Sequence, residues 1–222
     1  MKRLFTALML ACLAWPAEAG TRVWGFYGWG PDRWSGGIDQ IAAQARTIPN
    51  VQEVRLYDYI YTQQVANEIS ATPRGTRIVV YGYSCGANST TLIGTAFNGR
   101  RPIAVIGMQP SIWCGGSPSL TPNVLAQNTY ASCWKTLGLG CQTWGGNPHY
   151  LRQIYRNEWH GQADTDPAYQ QDVLSAINRI ANPGGGHHCD PTHHHCHAHT
   201  VIIHHTATGE ITHHVIHHVP IR

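Results

Sequence analysis

The sequence predicts an α/β domain: a mostly parallel sheet covered by helices on both faces, in three layers. Three observations carry that expectation. Short apolar, β-branched runs alternate with segments whose apolar residues recur at helical spacing. The motif Gly82-Tyr83-Ser84-Cys85-Gly86 follows one such run (Ile78-Val79-Val80) and precedes small residues, Ala87 to Gly94, the pattern of a sharp strand-to-helix turn. A chain of 222 residues, 42% hydrophobic and 12% charged, suffices for one globular core with additional segments.

Residues 1–19 read as an export signal. Lys2-Arg3 form a positive end, Leu4 to Trp15 an apolar stretch too short to span a bilayer, and Ala17-Glu18-Ala19 a small-x-small cleavage site. The chain is therefore expected in the periplasm or the medium and not as an integral membrane protein. Thr21 to Tyr27 is a predicted strand, followed by the turn residues Gly28-Trp29-Gly30-Pro31-Asp32. Ile38, Ile41, Ala42 and Ala45 share one face of a helix from Gly37 to Arg46. A strand from Val51 to Tyr57 and a helix from Thr62 to Ser70, with Val65, Ala66 and Ile69 on one side, come next. Arg77 to Tyr83 is the third strand, Cys85 to Phe97 its following helix, and Pro102 to Met108 an apolar central strand. Val124 to Tyr130 and Tyr150 to Tyr155 are further strands. Asp166 as N-cap and Pro167 in the first turn open a last helix, to about Ile180. Sheets of this kind bind ligands at the carboxyl ends of their strands, where Ser84 stands.

The composition changes after Asn182. Pro183-Gly184-Gly185-Gly186 is a linker, and 13 of the 15 histidines lie beyond it. The chain thus divides into a leader (1–19), a domain (20–182) and a histidine-rich tail (183–222). His187-His188-Cys189 and His193-His194-His195-Cys196-His197-x-His199 offer imidazoles and thiols suited to Zn, Cu or Ni. Val201 to His205 and Ile211 to Ile216 flank Ala207-Thr208-Gly209-Glu210 and read as a β-hairpin. That hairpin is expected to set His204/His205 opposite His213/His214. A soluble, pH-responsive extension with incidental metal affinity fits the same composition.

Charge excludes one class of partner. Lys and Arg number 15 against 12 Asp and Glu, or 13 against 11 without the leader's Lys2, Arg3 and Glu18, so there is no footprint for nucleic acid. Six cysteines remain once Cys12 leaves with the leader, an even number that favours disulfides in an exported chain. Spacing suggests Cys133–Cys141 and Cys189–Cys196, with Cys85 and Cys114 as a third pair or Cys85 as a buried thiol.

A serine hydroxyl becomes nucleophilic when a base takes its proton, and the usual base is a histidine oriented by a third group. Outside the tail the sequence offers His149, after Asn147-Pro148, and His160, in the polar loop between the last domain strand and the last helix. His160 is the better placed. The elbow Gly82-Tyr83-Ser84-Cys85-Gly86-Ala87, the early loop Phe26-Tyr27-Gly28-Trp29-Gly30 and the late His160-Gly161-Gln162-Ala163-Asp164 together resemble the α/β-hydrolase superfamily, and in size its small cutinase- and lipase-like members. The resemblance spans about residues 21–180. It implies Ser84 as nucleophile, His160 as base, and an oxyanion hole from the backbone N–H of Cys85 and of Tyr27 or Gly28.

The sequence departs from the family in the acid, which should fall between serine and histidine. That interval contains no aspartate and one glutamate, Glu158, which would point away from the histidine's side if the strand continued so far. Asp164 is the favoured substitute, with Asp58, the neutral Asn128 or a bare dyad as alternatives. Asp164 serves equally well as a loop-bracing carboxylate. Trp29, Trp34 and Tyr83 are candidates to line an apolar substrate pocket. The expected function is hydrolysis of a small ester or lipid without a cofactor. The competing expectation is a non-catalytic envelope protein whose tail, through His193, His194, His195, His197, His199, His204 and His213, binds or buffers metal.

Overall fold

A computed structural model describes residues 20–30, 35–98, 100–115, 119–133, 139–156, 158–183, 199–205 and 211–218, the last two stretches as backbone. The leader, Trp34, Cys189, Cys196 and His193 to His197 lie outside the described residues. The strands are β1 Thr21–Phe26, β2 Val51–Tyr57, β3 Arg77–Tyr83, β4 Ile103–Met108, β5 Ser119–Leu120, β6 Val124–Tyr130, β7 Gly145–Gly146, β8 Tyr150–Tyr155, β9 His199–His205 and β10 Ile211–His218. The helices are α1 Gly36–Ala45, α2 Thr62–Ala71, α3 Cys85–Ala96 and α4 Pro167–Ala181.

Six strands form the parallel body of the sheet in the order β2-β1-β3-β4-β6-β8. Both of its faces are buried, which explains why β3 and β4 read as unbroken apolar runs. Side chains alternate between the faces. Val79, Tyr81 and Tyr83 of β3 join Val23, Ala104 and Ile106 under α1 and α4, whose Ile38, Ile41, Tyr169, Val173 and Ile177 complete that core. Ile78 and Val80 join Trp24, Phe26, Ile103 and Val105 on the other side, beneath Val65 and Ile69 of α2 and Ile93 of α3. Among the described residues, no helix is long and apolar enough to cross a membrane.

Local signals explain the ends. Asp166 caps α4, its Oδ1 accepting from the N–H of Ala168 at 2.7 Å and of Tyr169 at 3.4 Å. Arg156, just past β8, pairs with Asp172 of α4 at 2.7 Å and locks strand to helix. Disulfides join Cys85 to Cys114 and Cys133 to Cys141, as an oxidising compartment allows.

β9 pairs with β8 in parallel, Leu151 opposite Thr200 through Tyr155 opposite His204, and β10 pairs antiparallel with β9. The backbone of these two stretches thus continues the sheet. In register, His204 stands opposite Thr212, His205 opposite Ile211 and His213 opposite Ile203, one residue away from the expected His204/His205 against His213/His214. The ladder closes on His205 and Ile211, and a slip of one residue changes every opposition in a hairpin.

Candidate active site

Ser84 sits between the last residue of β3 and the first of α3. Its backbone angles, φ 55° and ψ −122°, belong to a region that side-chain-bearing residues rarely occupy. The surroundings hold it there. Its N–H donates to the Met108 carbonyl at 3.0 Å, and its own carbonyl accepts from the N–H of Ala87 at 3.0 Å. The flanking glycines are required by close approach. A Cβ on Gly82 would lie 2.4 Å from the Gly86 carbonyl group, and one on Gly86 would lie 2.4 Å from the Phe26 carbonyl oxygen. Strand and helix pass so tightly that only glycine fits.

His160 arrives from the other side of the sheet. After β8 the chain turns through a short 3-10 segment, His160–Gln162, which turns the imidazole into the interior. The ring stacks on Tyr83, with centroids 5.0 Å apart and planes 28° apart, and the Tyr83 hydroxyl donates to the His160 carbonyl. Nε2 then meets Ser84 Oγ at 2.9 Å. Serine and imidazole are 6% and 7% exposed, so little water competes for that bond.

The second ring nitrogen has a partner that the sequence did not single out. Nδ1 lies 2.8 Å from Oε1 of Gln109, the fully buried residue that follows β4 with φ 46°. Gln109 Nε2 donates to the Tyr169 hydroxyl at 2.7 Å and the Glu158 carbonyl at 3.3 Å. A carbonyl can only accept, so the network assigns the amide nitrogen to that side and its oxygen to the ring. Nδ1 therefore carries the ring proton, and Nε2 presents its lone pair to the serine hydroxyl. One cue lay in the sequence: Gln109 ends the apolar strand next to β3, on the same carboxyl edge as Ser84.

Asp164, the expected acid, is elsewhere. Its Oδ2 accepts from the N–H of Gly37 at 2.9 Å at the start of α1, and its buried Oδ1 has no partner. Desolvation raises its pKa, against the backbone hydrogen bonds that lower it. It braces the turn after His160 against a helix N-terminus, the alternative role foreseen for it. Asn128 Nδ2 donates to the Gln142 carbonyl at 2.9 Å while its buried Oδ1 has no partner, and Asp58 and Glu158 each bury a carboxylate oxygen without one.

The expected anion-binding groups divide. Cys85 opens α3, where the first N–H groups of a helix have no intrahelical acceptor. Tyr27 does not supply a second: its N–H donates to the Tyr57 carbonyl at 2.9 Å, closing the β1–β2 ladder at the end of the expected strand. Gly28 is close to the serine, a Cβ on it falling 3.1 Å from Ser84 Cβ, but its N–H donates to Ser35 Oγ at 3.1 Å. Of the expected pocket residues, Trp29 is exposed, whereas Tyr83 is buried and supports His160 from beneath. His149 lies in a bend before β8. Among the described residues no three His, Cys, Asp or Glu side chains gather to hold a metal ion.

Burial lowers the His160 pKa from 6.5 to about 4. Below about pH 6.5 the unfolded chain binds a proton that the folded ring refuses, so this group costs stability as pH falls from 6.5 towards 4 and costs none above. The loss reaches about 3 kcal/mol at pH 4. Asp164, with its raised pKa, works in the opposite sense once it begins to protonate. Urea midpoints at pH 7 and pH 4.5 are expected to differ less in His160→Gln than in the wild-type chain; equal differences would refute the buried neutral ring. The tail histidines are common to both chains and cancel.

No protein-family model and no curated protein sequence matches the chain.

Proposed function

We propose that the protein is an exported serine hydrolase of the α/β-hydrolase type, cleaving ester bonds in an uncharged, largely apolar substrate. The observation that carries this reading is the 2.9 Å contact between Ser84 Oγ and His160 Nε2, on a strained turn at the head of a helix. Such a turn presents a nucleophile at the carboxyl edge of a parallel sheet. The ring takes the hydroxyl proton as Oγ attacks the acyl carbon, and the carbonyl oxygen becomes an oxyanion. The Cys85 N–H and the positive end of α3 are where that charge would be held. Collapse of the intermediate expels the alcohol, which receives the proton from Nε2. Water then repeats the sequence on the acyl-serine.

The substrate class rests on the surroundings. Trp29, Ile60, Trp113 and Trp159 are 67%, 63%, 72% and 52% exposed, and all follow carboxyl ends of sheet strands. Apolar side chains around a buried polar pair favour an acyl or aromatic ligand. The test is incubation of the oxidised full chain with a fluorophosphonate, followed by peptide mass analysis. A phosphonyl adduct on the peptide bearing Ser84, with turnover of p-nitrophenyl esters, is expected. Folded protein without an adduct would refute the enzyme and move the function to the tail, whose histidines suit Zn, Cu or Ni.

A further inference from the structure

We infer that Gln109 is the positioning residue of this site, an uncharged amide where serine hydrolases place a carboxylate, and that the backbone at Gly140 covers it. The inference rests on the hydrolase reading and adds to it how the base is oriented and over which pH range it works. Gln109 touches no reacting atom. It acts through His160, holding the proton on Nδ1 so that Nε2 faces the serine.

The cover is visible in Gly140. Its φ is +81°, and a Cβ there would stand 2.6 Å from both Gln109 Oε1 and His160 Nδ1. The backbone at Gly140 is held by three ties: the disulfide of the next residue, Cys141, to Cys133, the bond from Ala131 N–H to the Gly140 carbonyl at 2.9 Å, and that from Gln142 N–H to the Pro110 carbonyl at 3.1 Å. Bare backbone lies against the amide–imidazole bond on that side, and both partners are buried, Gln109 fully and His160 to 7% exposure. A hydrogen bond so enclosed keeps its full orienting strength.

A neutral partner has a chemical consequence. A carboxylate both fixes the tautomer and favours the imidazolium, raising the pKa of the ring. The amide fixes the tautomer alone. The groups around the ring do not replace the missing charge. Tyr83 and Tyr169 are phenols pushed above their ordinary range, chiefly by burial. Asp164 is directed towards Gly37; Glu158 offers the network its carbonyl while its carboxylate acts on the Tyr169 hydroxyl, with Tyr169 and the Gln109 amide between that charge and the ring; Arg156 lies over the Tyr169 ring with Asp172 as its partner. The base therefore stays unprotonated, and the enzyme competent, far into acid.

The test is the pH profile of kcat/KM for p-nitrophenyl butyrate with the wild-type chain, Gln109→Leu and Gln109→Glu, each first checked for Ser84 labelling by fluorophosphonate. The wild-type acid limb is expected near pH 4. Gln109→Leu should lower kcat at least about 100-fold with little change in KM, since the ring loses its orientation. Gln109→Glu should keep activity near neutrality and move the acid limb up by about 1–3 pH units; Tyr169 can turn its hydroxyl to donate to the new carboxylate. Wild-type rate and limb in Gln109→Leu, or an unmoved limb in Gln109→Glu, would overturn the inference while leaving the nucleophile intact. Absence of wild-type labelling would instead overturn the hydrolase reading. In that case the 15N spectrum of His160 decides the positioning role alone, with Nδ1 protonated in the wild type and a mixture of tautomers in Gln109→Leu supporting it, and an unchanged tautomer refuting it. If Gln109→Leu fails to fold, Gln109→Glu still decides the matter.

Discussion

Ser84→Ala is expected to reduce ester turnover on the order of 10⁶-fold, and His160→Ala to do nearly the same. The expectation follows from the isolation of the pair. Each is at most 7% exposed, their contact is 2.9 Å, and the strained turn offers the serine position to one side chain only. Alanine removes the attacking oxygen and leaves the backbone as it was, so folding should persist with both disulfides formed. The two residues act as one device, and the double variant should be scarcely worse than either single one. Initial rates with p-nitrophenyl esters, at equal concentrations of folded protein, decide this. More than about a tenth of wild-type activity in Ser84→Ala would remove Ser84 from the mechanism.

Gly86→Ala should have the largest effect on the fold. The added Cβ would stand 2.4 Å from the Phe26 carbonyl oxygen and 2.5 Å from that of Tyr27. Both are backbone atoms of a central strand and its extension, so neither can turn aside, and α3 would have to lift off β1. Overpacking of this kind costs roughly 3 kcal/mol, at the upper end of its usual range. The lift would also move the Cys85 N–H away from Ser84, so activity should fall in the molecules that remain folded. Gly36→Ala is the control: a Cβ there meets nothing within 4 Å, and its stability should be unchanged or slightly raised. Urea midpoints of the three chains measure the difference. A Gly86→Ala chain as stable as the Gly36→Ala chain would show that strand and helix do not pass as closely as described.

The arrangement of the domain was legible because its sheet is buried on both faces. The expected bounds of β2, β3, β6 and β8 coincide with those found, since apolar runs end where turn residues begin. Helix α4 was announced by its Asp-Pro start. The meeting of Ser84 with His160 followed from chain order alone. Gln109 was harder to read for a physical reason: a neutral amide has no charge signature, and its place one residue past β4, on the carboxyl edge beside Ser84, was the one cue it left. Asp164 misled for the converse reason, because its charge draws attention while its carboxylate caps α1 from the far end of the chain. The tail's pairing with β8 was equally hidden, for a polar linker suggests separation and says nothing about the edge of a distant strand.

Because the body of the sheet is parallel, its two rims have different fates. Ser84, Gln109, Trp29 and Trp113 all follow carboxyl ends, whereas the connections entering β2, β3 and β6, around Pro49, Pro73 and Pro122, lie on the opposite rim. Exposed turns remote from the chemistry accept insertions and attachments most readily. Tethering the protein to a solid support through a cysteine-free tag at one of those turns would present the serine outward. A fixed orientation on a surface is thus already implied by the direction in which the strands run.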